Sequence, residues 1–486
     1  MMTYMFTLEE AVRATGGRIS TTLPDTDPYM HIGGVSKDTR TIRDGDVYVA
    51  IKGERFDGHD YCADALSKGA VCVLVEDPSK IPEGAVGIVV DDSVKALGDL
   101  AHAYRSKLDA KVICVTGSVG KTTTRQMIAT ALGASMRVHS TKSNQNNEIG
   151  LPMTILEAPF DTQVLVLEMG MRGRGEISYL TNIACPDIAM ITNVGYSHIE
   201  RLGSREEIRL AKMEIAEGLT SKGILAVNGD DDFLSEYAGR MIPAGKLLAC
   251  VHALPRKDSD RVTNCTIMAT AENVKYEDGG MVFDMKASSE SDKAELHKSG
   301  IRLRLNGVHN VRNAAFAFLC AYILDADVDK AAEALAGFGE MEGRGEVTDN
   351  GRIVVINDAY NAGPESMEAA YANLALIGRG RRTIAVLGGM LELGDYAPML
   401  HEQIGRSCGG YGFDITLVTG DNRDDFVRGY KESNPDGEII LCEDTEDVRS
   451  KLASLIRDGD VLLFKASNAF GFEKLAAGFT VGGDNR

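Results

Sequence analysis

Short apolar runs separated by helix-length mixed segments recur along most of the chain. Residues 47–51, 70–75, 112–115, 164–167, 188–194 and 224–227 are such runs. Apolar stretches of this length suit strands buried on both faces, and their alternation with helices predicts parallel sheets covered on both sides. Thr7 and Glu10 have capping-box spacing and start a short helix through Val12, and Ser204 with Glu207 starts a longer one over 204–219. Residues 61–68 read as a helix and 92–108 as a helical linker. Residues 255–305 read as an antiparallel insertion with a hairpin turn at Asp278-Gly279-Gly280. Residues 306–310 lead into an apolar helix over 311–324. From residue 353 a second alternation begins, in which IVVIN, TIAVLGG, ITLVTG, EIILC and DVLLFKAS are strands. Helices separate all of them except ITLVTG and EIILC. The pattern predicts an α/β chain of three domains. These are a small N-terminal α/β domain (1–90), a central parallel-sheet domain (91–340) and a C-terminal doubly wound, Rossmann-like domain (341–486).

Composition narrows the class. With 44% hydrophobic and 25% charged residues the chain is of ordinary soluble, globular type. A formal net charge of −19 argues against nucleic acid or an anionic membrane as the main partner. No apolar run approaches the length needed to span a bilayer, and the N-terminus lacks the basic-then-apolar pattern of a signal peptide. The cysteines form no C-x-x-C pair, which fits free thiols in a reducing, cytoplasmic setting. A monomer is expected.

The stretch KVICVTGSVGKTTT, residues 111–124, carries the clearest chemistry. An apolar strand runs into a loop with Gly117 and Gly120, and Lys121-Thr122-Thr123 opens a helix. Backbone N–H groups of such a loop face an anion, a lysine reaches the β/γ-phosphates, and a threonine hydroxyl binds Mg²⁺. The loop is a shortened variant, TGxxGKT, and makes the central domain a P-loop-type unit that binds a nucleoside triphosphate through Thr116, Gly117, Ser118, Val119, Gly120, Lys121, Thr122 and Thr123. In parallel sheets ligands gather beyond the carboxyl ends of the strands. Glu168 ends a neighbouring strand, where surface polarity is the common outcome but an Mg²⁺ carboxylate is also needed. Asn193 and His198 follow the next strand. On the 204–219 helix Lys212 shares a face with Ile208, Ile215 and Leu219. A lysine there snorkels outward, finds a charge partner, or is chemically altered. The third course is addition of CO₂ to the neutral amine, which turns repulsion of a metal into coordination. Ser36 and Arg40 sit on a polar loop, either solvated or ligand-binding, and His309 taken alone suits a structural role. No G-x-G-x-x-G follows the first C-terminal strand, so a dinucleotide role is not supported.

Eight segments in order resemble the Mur ligase family of ATP-dependent amide-forming enzymes, from about residue 35 to 465. They are TGSVGKTT, NQNNEIGLPMT, EMG, NVGYSHIERLGS, AKMEI, GVHN, GRGE and DAYNAGPESM. VSKDTRTIRDGDVYVAIKGERFDGHDY and VLGGMLELGDYAPMLHEQIG resemble the branch that joins D-alanyl-D-alanine to UDP-N-acetylmuramoyl-tripeptide. The resemblance implies ADP-forming ligation in peptidoglycan precursor synthesis, with ATP, two Mg²⁺ ions and a carbamate on Lys212. It implies that Lys121 and the loop amides hold the ATP phosphates. Thr122 and Glu168 would bind the first metal, and His198 with carbamylated Lys212 the second, so Lys121, His198 and Lys212 are the catalytic candidates. His309 and Asn310 would contact adenine, with Arg344 and Asp358 closing over ribose and phosphates. Asn144, Asn146 and Asn147 would face the acceptor and Ser36 and Arg40 its uridine diphosphate, while Tyr360, Asn361 and Lys465 would line the substrate cleft from the C-terminal domain.

Three single positions and one short stretch depart from the family pattern. Gly389 and Gly363 replace Asp and Asn, Ser143 replaces Gly, and Ala466-Ser467-Asn468 replaces a G-S-R-like end. They gather mostly around the incoming dipeptide, not around ATP. The competing expectations are another ligase of the superfamily, such as a folylpolyglutamate synthase, and a catalytically silent nucleotide-binding regulator.

Overall fold

The computed structural model describes residues 4–23, 26–254, 262–290, 295–339 and 343–480. Glu342, the boundary near residue 340 and the first residues of the expected insertion lie outside these. In the N-terminal domain β1 (Phe6–Thr7) pairs with β3 (His31–Ile32). The Thr7–Glu10 capping box is formed, and α1 (Leu8–Thr15) runs three residues further than expected, to a left-handed Gly16. Five strands follow, β2 (Arg18–Thr21), β4 (Gly34–Ser36), β5 (Asp46–Val49), β6 (Cys72–Val75) and β7 (Val86–Val89), in sheet order β2-β7-β6-β5-β4. Only β2 is antiparallel. After α2 (Cys62–Ser67), the expected linker is α3 (Ser93–Arg105), which packs on α1 and on helices of the central domain.

The central sheet holds nine strands among the described residues. They are β8 (Lys111–Thr116), β9 (Val138–Ser140), β10 (Val164–Glu168), β11 (Ile188–Ile191), β12 (Ile224–Asn228), β13 (Leu247–His252), β14 (Cys265–Glu277), β15 (Gly280–Ser289) and β16 (Leu296–Leu303). Their order is β16-β15-β14-β13-β12-β11-β8-β10-β9. The chain leaves β8 toward β9 and β10, then crosses to β11, so the loop after β8 lies at the switch point where α/β sheets bind ligands. Successive residues of β8 feed opposite layers. Val112 and Cys114 join the core under α3, α5 (Gly150–Leu156) and α6 (Glu176–Ala184). Ile113 and Val115 join the core under α4 (Lys121–Gly133), α10 (Val308–Ile323) and α11 (Val328–Ala336). Each such apolar side chain contributes about 1.5–3 kcal/mol on burial.

Several expectations need correction. The antiparallel segment is no separate insertion: β14 runs parallel beside β13, and β15 and β16 extend the same sheet. Strand β13 itself was not expected. The helix expected over 204–219 is α8 (Arg205–Met213) followed by one tighter turn at Glu214–Ala216. There Glu214 turns to accept the Gly175 and Ser178 amides at the start of α6. Helix α10 starts at Val308, so His309 and Asn310 belong to its first turn and not to a lead-in.

In the C-terminal domain β17 (Glu346–Asp349), β18 (Val354–Asn357), β19 (Thr383–Leu387), β20 (Ile415–Val418), β21 (Ile439–Leu441) and β22 (Val461–Lys465) lie in the order β17-β18-β22-β19-β20-β21. Helices α12 (Pro364–Ile377), α13 (Ala397–Tyr411) and α14 (Arg423–Ser433) cover one face, and α15 (Thr445–Leu455) and α16 (Phe472–Thr480) the other. The sheet is doubly wound, as expected. Two elements were not foreseen. β17 is a polar edge strand, and α14 lies between β20 and β21 with only Phe426, Gly429 and Tyr430 buried.

Candidate functional site

Strand β8 ends at Thr116, whose hydroxyl donates to the Met169 carbonyl (2.9 Å) and ties it to the end of β10. Gly117 then takes φ +150°, and a Cβ there would stand 1.9 Å from Thr192 Oγ1. Only glycine fits. The loop is stapled to the end of β11: Val119 N donates to Asn193 Oδ1 (2.9 Å), Thr192 Oγ1 to Val119 O (2.6 Å), and Gly195 N to Ser118 Oγ (2.9 Å). Gly120 precedes α4 at φ +82° with no side-chain cap, which leaves the first-turn amides for an anion. Lys121 folds over this cradle and donates to Gly117 O (2.7 Å) and Ser118 O (3.3 Å). Burial pushes its pKa down, opposed by Glu168 and reinforced by Arg344.

Glu168 closes β10 beside Val115 of β8. Its carboxylate is almost fully buried, accepting from Asn146 Nδ2 (2.9 Å) and lying 3.4 Å from Arg125 Nε. Sequence reasoning missed Arg125, although it stands one helical turn after Lys121 on the same face of α4. His198, at φ +68°, leads into α7 (Ile199–Leu202). Its Nδ1 is 2.9 Å from Glu392 Oε2 of the C-terminal domain, close enough for an ion pair but not aligned as a hydrogen bond. Burial lowers the imidazole pKa, as does Lys121, while Glu392 raises it. Lys212 is 1% exposed and its side chain makes no hydrogen bond or ion pair among the described residues. Burial, and then Lys121, pushes its pKa well below the ordinary lysine value, opposed by Glu365.

The C-terminal domain bridges to this site at several points. Tyr360 donates to Asn144 Oδ1 (2.8 Å) while the Arg344 guanidinium sits 4.0 Å from the Tyr360 ring centroid. Tyr196 N donates to Glu365 Oε1 (3.1 Å), Glu200 N to Glu392 O (3.3 Å), and Tyr396 Oη to Gly203 O (2.9 Å). Lys465 pairs with Asp358 (2.8 Å) and donates to Asn361 O (2.8 Å). Burial raises the Asp358 pKa, opposed by Lys465. His309 is held neutral, its pKa down to about 4 through burial and the neighbouring Arg312 and Lys465. Arg312 pairs with Asp230 (2.9 Å), which also meets His252 (3.2 Å).

A single cleft of about 1000 Å³ gathers most of the sequence candidates. Gly117 through Thr123, Asn144, Asn146, Asn147, Glu168, His198, Lys212, His309, Asn310, Arg344, Asp358, Tyr360, Asn361 and Lys465 all line it. Thr116 lies behind the loop, fully buried. Ser36 and Arg40 do not reach the cleft. The Ser36 hydroxyl meets Thr41 Oγ1 (3.0 Å) and builds its own loop, while the Arg40 side chain is 84% exposed and paired with Asp38.

The chain matches the Mur ligase middle domain over residues 115–321, the "Mur ligase, glutamate ligase domain" over 343–468, and the "Mur ligase family, catalytic domain" over 31–105. It is 36% identical to a Bacillus subtilis protein named UDP-N-acetylmuramoyl-tripeptide–D-alanyl-D-alanine ligase, over 91% of this chain and 92% of that one. The chain belongs to the Mur ligase family. Solved Mur ligases share its shape. MurF from Acinetobacter baumannii superposes with a TM-score of 0.83 at 28% identity, over 98% of each chain. MurF from Thermotoga maritima, in complex with ADP, gives 0.75 at 29% identity over 92% of this chain and 97% of that one.

In this Mur ligase two of the departures have a structural reading. Ser143 sits at φ +47°, a conformation that suits the glycine usual there. A side chain at Gly389 would meet the Phe470 ring at 3.1 Å. Arg205, Arg312 and Glu365 also line the cleft from helices and were missed from sequence, although Glu365 stands inside the DAYNAGPESM segment. The glycine geometry of the loop gives a prediction. Gly117→Ala combines a disfavoured φ with the clash at Thr192, and such backbone strain alone costs roughly 1–3 kcal/mol. Titration with a fluorescent ATP analogue is expected to show at least about tenfold weaker binding; unchanged affinity would remove the loop from the nucleotide site.

Proposed function

We propose that this chain joins D-alanyl-D-alanine to UDP-N-acetylmuramoyl-tripeptide, with ATP converted to ADP and phosphate, in peptidoglycan precursor synthesis. The observation that carries this reading is the single cleft in which the phosphate loop of the central sheet faces the strand ends of the C-terminal sheet. The 36% identity to the Bacillus subtilis ligase over nine-tenths of both chains supports the substrate choice. A carboxylate is a poor electrophile, so activation as an acyl phosphate precedes attack by an amine. The loop amides and Lys121 hold the β/γ-phosphates; His309, Asn310, Arg344 and Asp358 surround the nucleoside. The acceptor lies along Asn144, Asn146 and Tyr360, with its uridine diphosphate on the N-terminal domain near the exposed Arg40. The bridges between domains exclude water, which would hydrolyse the acyl phosphate.

The donor set suits two Mg²⁺ ions: a hydroxyl at Thr122, a carboxylate at Glu168, an imidazole at His198 and a Lys212 amine whose charged form burial disfavours. Thr122, Glu168, His198 and a carbamate on Lys212 would hold the ions together with phosphate oxygens of the nucleotide. Mg²⁺ supplies charge neutralisation at the transferring phosphoryl group. The two Glu168 oxygens meet Asn146 and Arg125, which would orient the carboxylate for a metal. The enzyme works as a monomer, since one chain makes the whole cleft. It works in the cytoplasm, consistent with nine free cysteines.

The test is phosphate release from ATP. Release is expected only with the UDP-tripeptide and the dipeptide together, with one amide product per phosphate. Activity with a different amino acid in place of the dipeptide would move the chain to another branch of the family.

A further inference from the structure

Six carboxylates line the cleft: Glu168, Glu176, Asp230, Asp231, Asp358 and Glu365. Five are engaged. Glu168 meets Arg125 and Asn146, Asp230 meets Arg312 and His252, Asp358 meets Lys465, Glu176 accepts from Arg172 N, and Asp231 accepts from Val194 N and caps α9 (Asp232–Met241). Glu365 differs. Its Oε1 accepts from Tyr196 N (3.1 Å), but its Oε2 is buried with no partner among the described residues. The position is built for it: a Cβ on Gly195 would stand 2.2 Å from this carboxylate, so glycine there opens the space it fills. The start of α12, where Glu365 is the second residue, favours a negative charge. A buried carboxylate oxygen with no donor is costly, and is retained where a ligand supplies the donor.

We infer that Glu365 receives the ammonium group of the incoming dipeptide and takes one of its protons. The inference rests on the proposed substrates: the dipeptide ammonium must lose a proton before it attacks, and of the cleft carboxylates Glu365 alone keeps a buried oxygen without a donor among the described residues. Attack needs the amine lone pair. One N–H proton passes to Glu365 Oε2 and leaves the amine neutral. The lone pair forms the C–N bond at the acyl phosphate carbon. The C–O bond to phosphate breaks with its electron pair, and the departing phosphate takes the second amine proton. Burial raises the Glu365 pKa, which brings the carboxylate closer to the amine it would deprotonate. Arg205, Asp231 and Lys212 are the other charged groups facing it.

The test is Glu365→Gln, which keeps an oxygen for Tyr196 N but neither the charge nor the basicity. Its kcat/KM for D-alanyl-D-alanine is expected to fall by about 10²-fold or more, with KM for ATP and UDP-tripeptide within about twofold. Hydroxylamine, an amine that is uncharged at neutral pH, should still trap the acyl phosphate as a hydroxamate at the wild-type rate. Glu365→Asp should recover part of the dipeptide activity. Unchanged dipeptide kinetics, or equal loss of hydroxamate and dipeptide product, overturns the inference; the second result would give Glu365 a metal or folding role. Wild-type protein that forms hydroxamate but no dipeptide product overturns the substrate reading instead, and the inference with it.

Discussion

Replacing Lys212 with arginine is expected to abolish turnover, although the substitution keeps the charge. Lys212 is 1% exposed, its side chain has no hydrogen bond or ion pair among the described residues, and it shares its stretch of chain with the buried Ile208, Ala211 and Ile215. Removal from water disfavours its ammonium, and the positive Lys121 adds to that. Both effects favour the neutral amine in a residue that lines the cleft. On the proposed mechanism the neutral amine would add CO₂ to give an anionic carbamate, whose oxygen suits a hard cation. Arginine stays protonated and cannot take the same course. Both Lys212→Arg and Lys212→Ala should lose at least about 10²-fold in kcat, and small carboxylates should restore part of the activity of the alanine variant only. Equilibration with ¹³C-bicarbonate should give a carbamate NMR signal in the wild type that is missing from both variants. Substantial activity in Lys212→Arg would end the carbamate reading.

Lys121→Ala should reduce kcat by about 10²–10³-fold, the usual effect of deleting one electrostatic stabiliser of a transition state. Its cost to folding is expected to be small, because Lys121 is bonded only to carbonyls of its own loop. Glu168→Ala should be equally inactive for a partly different reason. The Arg125 guanidinium beside Glu168 is 4% exposed, so removing the carboxylate strands a buried cation. Breaking such a pair costs about 3–5 kcal/mol, a large share of ordinary domain stability. Thermal denaturation should therefore separate the two variants, with a lowered midpoint for Glu168→Ala and little change for Lys121→Ala. A Glu168→Ala protein of normal midpoint and near-normal turnover would release Glu168 from both roles.

Much of this site was legible in the sequence for one reason. Runs such as VICV and VLVL can only be strands covered on both faces, and in a parallel sheet the residues just past each strand's carboxyl end face the ligand side. That logic brought the 117–123 loop, Glu168, His198, Asp358 and Lys465 to one cleft. It failed where a residue's role depends on a partner distant in sequence. Arg125 looks like a surface helix residue until Glu168 is set beside it, and Glu365 looks like an ordinary first-turn acid until Tyr196 arrives from another domain. Helix α14 was missed because so few of its residues face the core that its periodicity is drowned by charge. The end of α8 was misplaced because Glu214 serves α6 in preference to its own helix.

The short segment from Gly195 to Glu200 answers to two domains at once. It carries His198 toward the central site, offers Tyr196 N to Glu365, and meets the backbone of Glu392 through Glu200. In evolutionary terms these residues cannot drift alone. A substitution at Gly195 closes the space of a side chain in another domain, and one at Glu392 changes the neighbour of His198. The segment and its docking loops are expected to vary together, so a C-terminal domain grafted from a relative is expected to bring full activity only if residues 195–200 travel with it.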